Sequence, residues 1–245
     1  MAYNWNWEVF LQPSATGEGT YVTWLLEGLK WTVTLSLSAW VIALVIGSII
    51  GVLRTVPNRW LSLIAATYVE VFRNVPLLVQ LFIWYFVLPE LLPGKMGDAF
   101  KQMNPLAQQF LAAMVCLGLF TAARVAEQVR SGINSLPRGQ KNAGLAMGFT
   151  LAQVYRYVLL PMAYRIIVPP LTSEFLNIFK NSAVATPIGL VELSRQPPQL
   201  VDFTAQPYEA FIAVTLLYVL INVTVMFLMR HLEQKVRVPG LIGGK

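Results

Sequence analysis

The run Trp31–Leu53, WTVTLSLSAWVIALVIGSIIGVL, contains no Asp, Glu, Lys or Arg. At about 1.5 Å per helical residue it reaches about 34 Å, enough to cross a hydrocarbon core of about 30 Å. Composition points the same way. Of the 245 residues, 56% are hydrophobic and 12% charged, against about 25% charged in a soluble domain. The chain therefore reads as an integral, multi-pass membrane protein, of a length that suits one domain.

Four further spans are expected. Asn74–Pro89 forms one if it borrows residues from Tyr68–Arg73, and Leu106–Ala123 forms the next. Ile166 to about Ala185 is another, broken by Pro169 and Pro170, and Ala210–Met229 is again free of charge. The expected fold class is all-α with about five transmembrane helices. Arg54, Arg59, Arg130, Arg138, Lys141, Arg156, Arg165, Arg230, Lys235, Arg237 and Lys245 fall on one side of these spans. The other side has Lys95, Lys101 and Arg195, with Glu8, Glu18, Glu90, Asp98, Asp202 and Glu209. The positive-inside bias places the N-terminus outside and the C-terminus in the cytoplasm. The expected organisation is an external segment 1–20, a transmembrane domain 21–235 with a cytoplasmic loop at about 131–165, and a cytoplasmic tail 236–245.

That topology accounts for the net charge of +6 without a nucleic-acid partner. Residues 1–20 have no Lys or Arg and no apolar core before a small-residue cleavage site, so no cleavable signal peptide is expected. Trp5, Trp7, Trp24, Trp31 and Trp84 lie near the expected interfaces, where membrane lipid anchors such rings. Gly47-Ser-Ile-Ile-Gly51 has the small-xxx-small spacing that lets another helix approach. Cys116 is the single cysteine and His231 the single histidine, so neither a disulfide nor a metal centre is expected. Gly240–Lys245 has the wrong spacing for a phosphate-binding loop, and no cofactor is expected. Asn222-Val-Thr224 fits a glycosylation sequon but falls inside a span.

The loop from Arg130 to Arg165 is too polar to span and too patterned for a linker. Pro137 suits an early helical position. The following run, Gly139–Met147, ends at Gly148, a residue type favoured just past a helix end. Thr150 and Gln153 have capping-box spacing, so a second short helix is expected to begin at Thr150 and end by Pro161. Ala143, Gly144, Ala146 and Gly148 make the elbow small enough for a partner's groove to close around it. An ordinary amphipathic connector accounts for the same pattern.

Asn142-Ala-Gly144, then Gly148, then Val158-Leu-Leu160-Pro161 resembles the EAA loop of ABC importer permeases. That loop reads E-A-A, three residues, G, nine residues, I, one residue, L-P. Asn142 stands where that pattern has Glu, and Gly144 where it has the second Ala. Gly28-Leu-Lys-Trp-Thr-Val-Thr-Leu-Ser-Leu, Glu70-Val-Phe-Arg-Asn-Val-Pro-Leu-Leu-Val-Gln80, Ala123-Arg-Val-Ala-Glu-Gln-Val-Arg130, Leu136-Pro-Arg-Gly-Gln140 and Lys180-Asn-Ser-Ala-Val-Ala185 resemble the polar-amino-acid branch of that family. Arg54-Thr-Val-Pro-Asn58 and Val236-Arg-Val-Pro-Gly240 are most similar to permeases of glutamate/aspartate importers. The resemblance implies a type I ABC importer permease fold in the bacterial inner membrane. The elbow residues Asn142, Ala143, Gly144, Gly148, Thr150, Leu160 and Pro161 would dock an ATPase. Two ATP-hydrolysing subunits would bind the ATP, a second permease would complete the path, and an external solute-binding protein would deliver substrate. Asn142 implies that the second permease is not identical to this one. The chain itself would be a transport subunit, not an enzyme. A passive channel or secondary carrier for small polar solutes is the alternative.

Charges within spans cost about 2.5–3.5 kcal/mol each at a helix centre. Glu70 and Arg73 are three residues apart, as are Arg124 and Glu127, which allows pairing on one face. Arg124 lies about 9 Å inward from Arg130, and Lys180 about 22 Å inward from Arg165. An anionic amino acid needs fixed cations on its route, and a guanidinium suits a carboxylate. Arg124, Lys180, Asn181 and Ser182 are thus expected to border the substrate path, with Glu127 holding Arg124. Buried ion pairs that only pack helices explain the same residues. Glu174 lies in the Pro-interrupted span, where freed carbonyls face a partner or water, or the prolines make a simple kink.

Overall fold

The computed structural model describes residues 3–17 and 19–236. Glu18, Arg237, Lys245, the Gly240–Lys245 stretch and all but the first residue of the expected tail lie outside the described residues. A five-residue 3-10 turn, Trp7–Leu11, precedes helix α1, Tyr21–Leu53, and α2, Arg59–Asn74. Asn58 starts α2 by accepting from the backbone N–H groups of Trp60 and Leu61, an N-cap that satisfies donors with no intrahelical partner.

The expected span runs through Val75 and Pro76, but the helix does not. Val75 is extended at φ −93° and ψ 131°, because the residue before proline is pushed out of the helical region. The expected span through Asn74 is therefore two helices. The second, α3, covers Leu77–Leu91 and contains a π turn at Ile83–Val87. Then come α4, Gly94–Lys101, and α5, Pro105–Asn134, which extends well beyond the expected end at Ala123.

Helix α6, Arg138–Ala146, opens the polar loop. Helix α7 follows, as Leu151–Val154, a π turn at Tyr155–Leu159 and Leu160–Asn181, continuous over 151–181. The expected stop at Pro161 does not occur, and Pro169 and Pro170 lie inside the helix without breaking it. Both π turns precede a Leu-Pro pair. Leu88 N–H bonds the Ile83 carbonyl before Pro89, and Leu160 N–H bonds the Tyr155 carbonyl before Pro161. The wider turn takes the strain that a proline ring places on the preceding helix. Two 3-10 turns, Ser182–Ile188 and Leu193–Arg195, lead to α8, Gln196–Thr204, and α9, Pro207–Val236. Among the described residues a lone bridge, Pro13–Thr20, is the extent of β pairing.

Three helices, α1, α5 and α9, are long and apolar enough to cross a membrane, and α2 with α3 forms a bent pair that is either a fourth, broken span or a re-entrant loop. The remaining expected span falls on Leu160–Asn181. Its 22 residues reach about 33 Å, long enough to cross, while Arg165, Glu174 and Lys180 make it more polar than the others.

The chain forms two compact units, each built from three separate stretches. One takes residues up to Ala39, Leu77–Leu117 and Ile178–Thr224. Here the N-terminal segment is tied to the start of α9. The Glu209 carboxyl accepts from the Tyr3 hydroxyl at 2.5 Å and the Asn6 N–H at 2.7 Å. Burial, then the bond to Glu209, push the Tyr3 phenol up to about 12, which keeps it a donor. Trp5 and Trp7 stack at 5.9 Å and remain exposed, consistent with interfacial rings. Lys101 pairs with Glu90 at 2.7 Å.

The other unit takes Trp40–Pro76, Gly118–Asn177 and the chain from Val225. Its core joins Ala43 of α1, Ala122, Val125, Val129 and Ile133 of α5, and Val154, Ala163, Ile167 and Leu171 of α7. The glycine spacing read from sequence is the contact between α1 and α5. A Cβ on Gly47 would stand 2.7 Å from the Ala122 carbonyl oxygen, and one on Gly51 would stand 2.7 Å from that of Ala126. Backbone meets backbone there, a fit open only to glycine.

Candidate functional site

The polar loop folds into a rigid elbow. At the end of α6, Phe149 N–H bonds the Gly144 carbonyl and Gly148 N–H bonds that of Leu145, a Schellman arrangement. It requires Gly148 at φ +87°, a left-handed conformation that costs glycine little. The chain then turns directly into the next cap. Thr150 Oγ1 accepts from Gln153 N–H while Gln153 Oε1 accepts from Thr150 N–H at 2.8 Å, so the expected capping box is present. Gly144 lies under Val154, whose Cγ2 would stand 3.0 Å from an added Cβ. The departure from Ala at this position thus lets the two arms of the elbow close.

Tyr155 anchors the second arm, donating to the Thr55 carbonyl at 2.8 Å just past the end of α1. Tyr164 reaches the Ser48 hydroxyl about two turns deeper into α1. Beyond this base the tip projects freely. Asn142, Ala143, Gly148 and Thr150 are exposed, and Met147 is 75% exposed. Leu160 is half-buried and Pro161 exposed, at the junction with the main part of α7. A recess of about 520 Å³ opens at the root of α6, where Arg138, Lys141 and Asn142 face Tyr155 and Leu159.

The charged groups of the same unit pair differently from expectation. Glu127 does not hold Arg124. It takes Arg130 at 2.9 Å, Arg54 in close contact and Arg73 at 3.8 Å. Arg124 instead lies over the Phe120 ring at 5.0 Å and faces Glu174 at 3.8 Å. Glu127 is three residues nearer the loop, level with Arg54 at the end of α1, whereas Arg124 turns toward α7. The Glu70–Arg73 pair is replaced too: Glu70 accepts from Asn74 at 3.1 Å, and Arg73 turns to Glu127. Arg73, Arg124, Glu127, Gln128 and Glu174 surround a polar recess of about 240 Å³. Glu174 is thereby the partner that sequence spacing assigned to Glu127.

Lys180, Asn181 and Ser182 belong to the first unit. Lys180 is exposed at the rim of an open groove of about 500 Å³, with Tyr218 and Asn222 along its floor. Asn181 is half-buried. Ser182 is fully buried and its hydroxyl donates to the Phe179 carbonyl at 2.8 Å, so in this structure it closes the end of α7.

Glu192, fully buried in this unit, was not singled out from the sequence. Its carboxyl accepts from Thr186 at 2.6 Å, Ser194 N–H at 2.9 Å, Tyr218 at 3.1 Å and Thr32 at 3.3 Å, and from the Ser194 hydroxyl. Donors from α1, the two 3-10 turns and α9 replace the water that burial removes. Its one sequence signal was isolation, as the only acid between Glu174 and Asp202.

Comparison with known proteins agrees with this layout. Residues 43–238 match the family of the binding-protein-dependent transport system inner membrane component. The chain is 58% identical over its full length to the glutamate/aspartate import permease protein GltJ of Escherichia coli (strain K12), all of which is covered. It is 33% identical to the arginine transport system permease protein ArtQ of Bacillus subtilis (strain 168), over 88% of this chain and 94% of that one. Among solved structures, an amino acid ABC transporter matches at TM-score 0.74 and 31% identity, over 88% of this chain and 95% of that chain. The MetNI methionine ABC transporter matches in fold at TM-score 0.73 and 22% identity, covering 89% and 98% of the two chains. Carrying the family pattern through most of its length, the chain belongs to the inner membrane components of binding-protein-dependent transport systems, and its fold is that of a type I ABC importer permease.

Proposed function

We propose that this chain is the membrane-spanning permease subunit of an ATP-driven importer that carries glutamate and aspartate inward. The full-length similarity to a glutamate/aspartate import permease supports the substrate class. The observation that carries the mechanism is the elbow between Pro137 and Pro161. Its exposed turn is fixed by hydrogen bonds at both arms and tied to the end of α1 through Tyr155.

Asn142, Ala143, Gly144, Gly148 and Thr150 form the docking surface for a separate ATPase, and Leu160-Pro161 links it to the main part of α7. The chain binds no ATP and needs no cofactor of its own. Two ATPase subunits, a second and different permease and an external solute-binding protein complete the assembly. The N-terminal segment 1–20 lies outside, the membrane domain covers 21–235 and the tail 236–245 lies in the cytoplasm. When the ATPases close, the elbow moves as a rigid lever and tilts α7 and α1 through the Tyr155 and Tyr164 contacts. ATP drives this because it binds one conformation more tightly than the other.

Arg124, restrained by Glu174, is the cation in its unit that meets an anionic amino acid. Lys180 and Asn181 border the groove of the other unit. Glu127, Arg73 and Arg54 form a structural cluster.

Ala143 tests the docking reading without disturbing the backbone, because it is exposed and helical. Tagged wild-type chain extracted in mild detergent should retain its ATPase, and Ala143→Trp should lose most of it while eluting normally by size exclusion. Equal retention by both would refute docking at the elbow.

A further inference from the structure

Between Glu127 and Glu174 the sequence contains no Asp or Glu, but it contains Arg130, Arg138, Lys141, Arg156 and Arg165. Arg130 pairs with Glu127 at 2.9 Å. Among the described residues, the other four have no carboxylate within ion-pair distance. Arg138, Arg156 and Arg165 are exposed, and Lys141 is half-buried at the recess beside Asn142. The turn between them carries Leu145, Met147 and Phe149, which are 42%, 75% and 37% exposed. The elbow is thus an apolar knob on a basic collar of Arg138, Lys141 and Arg156, while Arg165 lies about 22 Å along α7 from Thr150.

We infer that the ATPase surface receiving this elbow is an apolar groove rimmed by carboxylates. This rests on the proposed docking role and adds the chemistry of the partner. Asn142 is central to it. A carboxylate there would stand on α6 one turn from Arg138 and line the same recess as Lys141, cancelling part of the collar. With an amide at this position the docking face keeps a single sign, and a face of one sign selects a partner of the other. A phospholipid headgroup layer is also anionic, but it offers no shape to match. The hydrogen-bonded turn around Gly148 holds Met147 and Phe149 in one geometry, which favours insertion into a preformed protein groove.

The test uses the complex purified from membranes in mild detergent. Exposed ion pairs are screened over about 10 Å at 0.1 M salt and less at higher salt. Raising NaCl from about 50 to about 500 mM should therefore lower ATPase retention about fivefold or more. At the lower salt, Lys141→Gln should weaken retention about twofold and Lys141→Glu about fivefold, with Asn142→Glu falling between wild type and Lys141→Glu. Retention that ignores both salt and charge reversal would overturn the carboxylate rim while leaving docking intact, because Ala143→Trp reports on docking alone. Charge changes that spare the ATPase but abolish binding of the purified chain to vesicles rich in anionic phospholipid would assign the collar to lipid and overturn the inference.

Discussion

The glycines of α1 allow a prediction with an internal control. A Cβ at Gly47 would meet the Ala122 carbonyl oxygen at 2.7 Å and Val125 Cβ at 2.7 Å. At Gly51 it would meet Val129 Cβ at 2.6 Å and the Ala126 carbonyl oxygen at 2.7 Å. Ordinary van der Waals contact begins near 3.4 Å, so α1 and α5 must part by several tenths of an ångström. Val125 and Val129 are fully buried and have no free space to enter. Overpacking of this kind costs about 1–3 kcal/mol per site. The sites are one turn apart on one helix pair, so Gly47→Ala/Gly51→Ala should cost less than the sum, since a single separation relieves both. Gly139 on α6 is the control, because nothing lies within 4 Å of its added Cβ. There Gly→Ala should gain about 0.5–1 kcal/mol from helix propensity. Stability would be read in detergent as the temperature at which half the protein leaves the monodisperse size-exclusion peak. Opposite signs are expected, with the α1 variants lower and Gly139→Ala equal or higher. If Gly51→Ala were as stable as wild type, the close approach of α1 to α5 would be wrong.

Two further outcomes concern Glu192 and Arg124. Glu192→Leu should lower stability by about 3 kcal/mol or more, because Thr32, Thr186, Ser194 and Tyr218 lose an acceptor and each stranded donor costs about 1–3 kcal/mol. Glu192→Gln, which keeps an acceptor, should cost less than half as much in the same assay. Arg124→Gln should assemble with its ATPase yet reduce glutamate uptake about tenfold or more, read as radiolabelled uptake into proteoliposomes. Unchanged uptake with unchanged competition by uncharged amino acids would remove Arg124 from the substrate route.

Local chemistry made the elbow legible. A Gly three residues past Leu145, and Thr and Gln at the spacing of a cap, are decided within one helical turn, and the hydrogen bonds found are those expected. The charge-free stretches of α1 and α9 were equally plain, because hydropathy needs no partner to be read. Proline was harder. At Pro76 a span read straight through the proline hid a break, whereas at Pro161 the proline suggested an end that the preceding π turn averts. The same residue interrupts or continues a helix according to what its neighbours can absorb, and that depends on packing. The ion pairs were least legible. Spacing along α5 allowed Arg124 to reach Glu127, but α1 and α7 supplied Arg54 and Glu174, and no spacing within one helix reveals what another brings. Glu192 lay hidden for the same reason, since its donors are spread from Thr32 to Tyr218.

The π turn at Tyr155–Leu159 also sets the phase of everything after it. Such a turn amounts to one extra residue threaded into an α-helix, and one residue is about 100° of rotation. Without it, Tyr164, Ile167 and Glu174 would each swing by about 100° away from Ser48, Gly132 and Arg124, the groups they now meet. The elbow and the charged recess are therefore keyed to one another by a single residue of slack. Removing any one residue between Tyr155 and Leu159 would leave the composition of the helix almost untouched while turning its inner face outward.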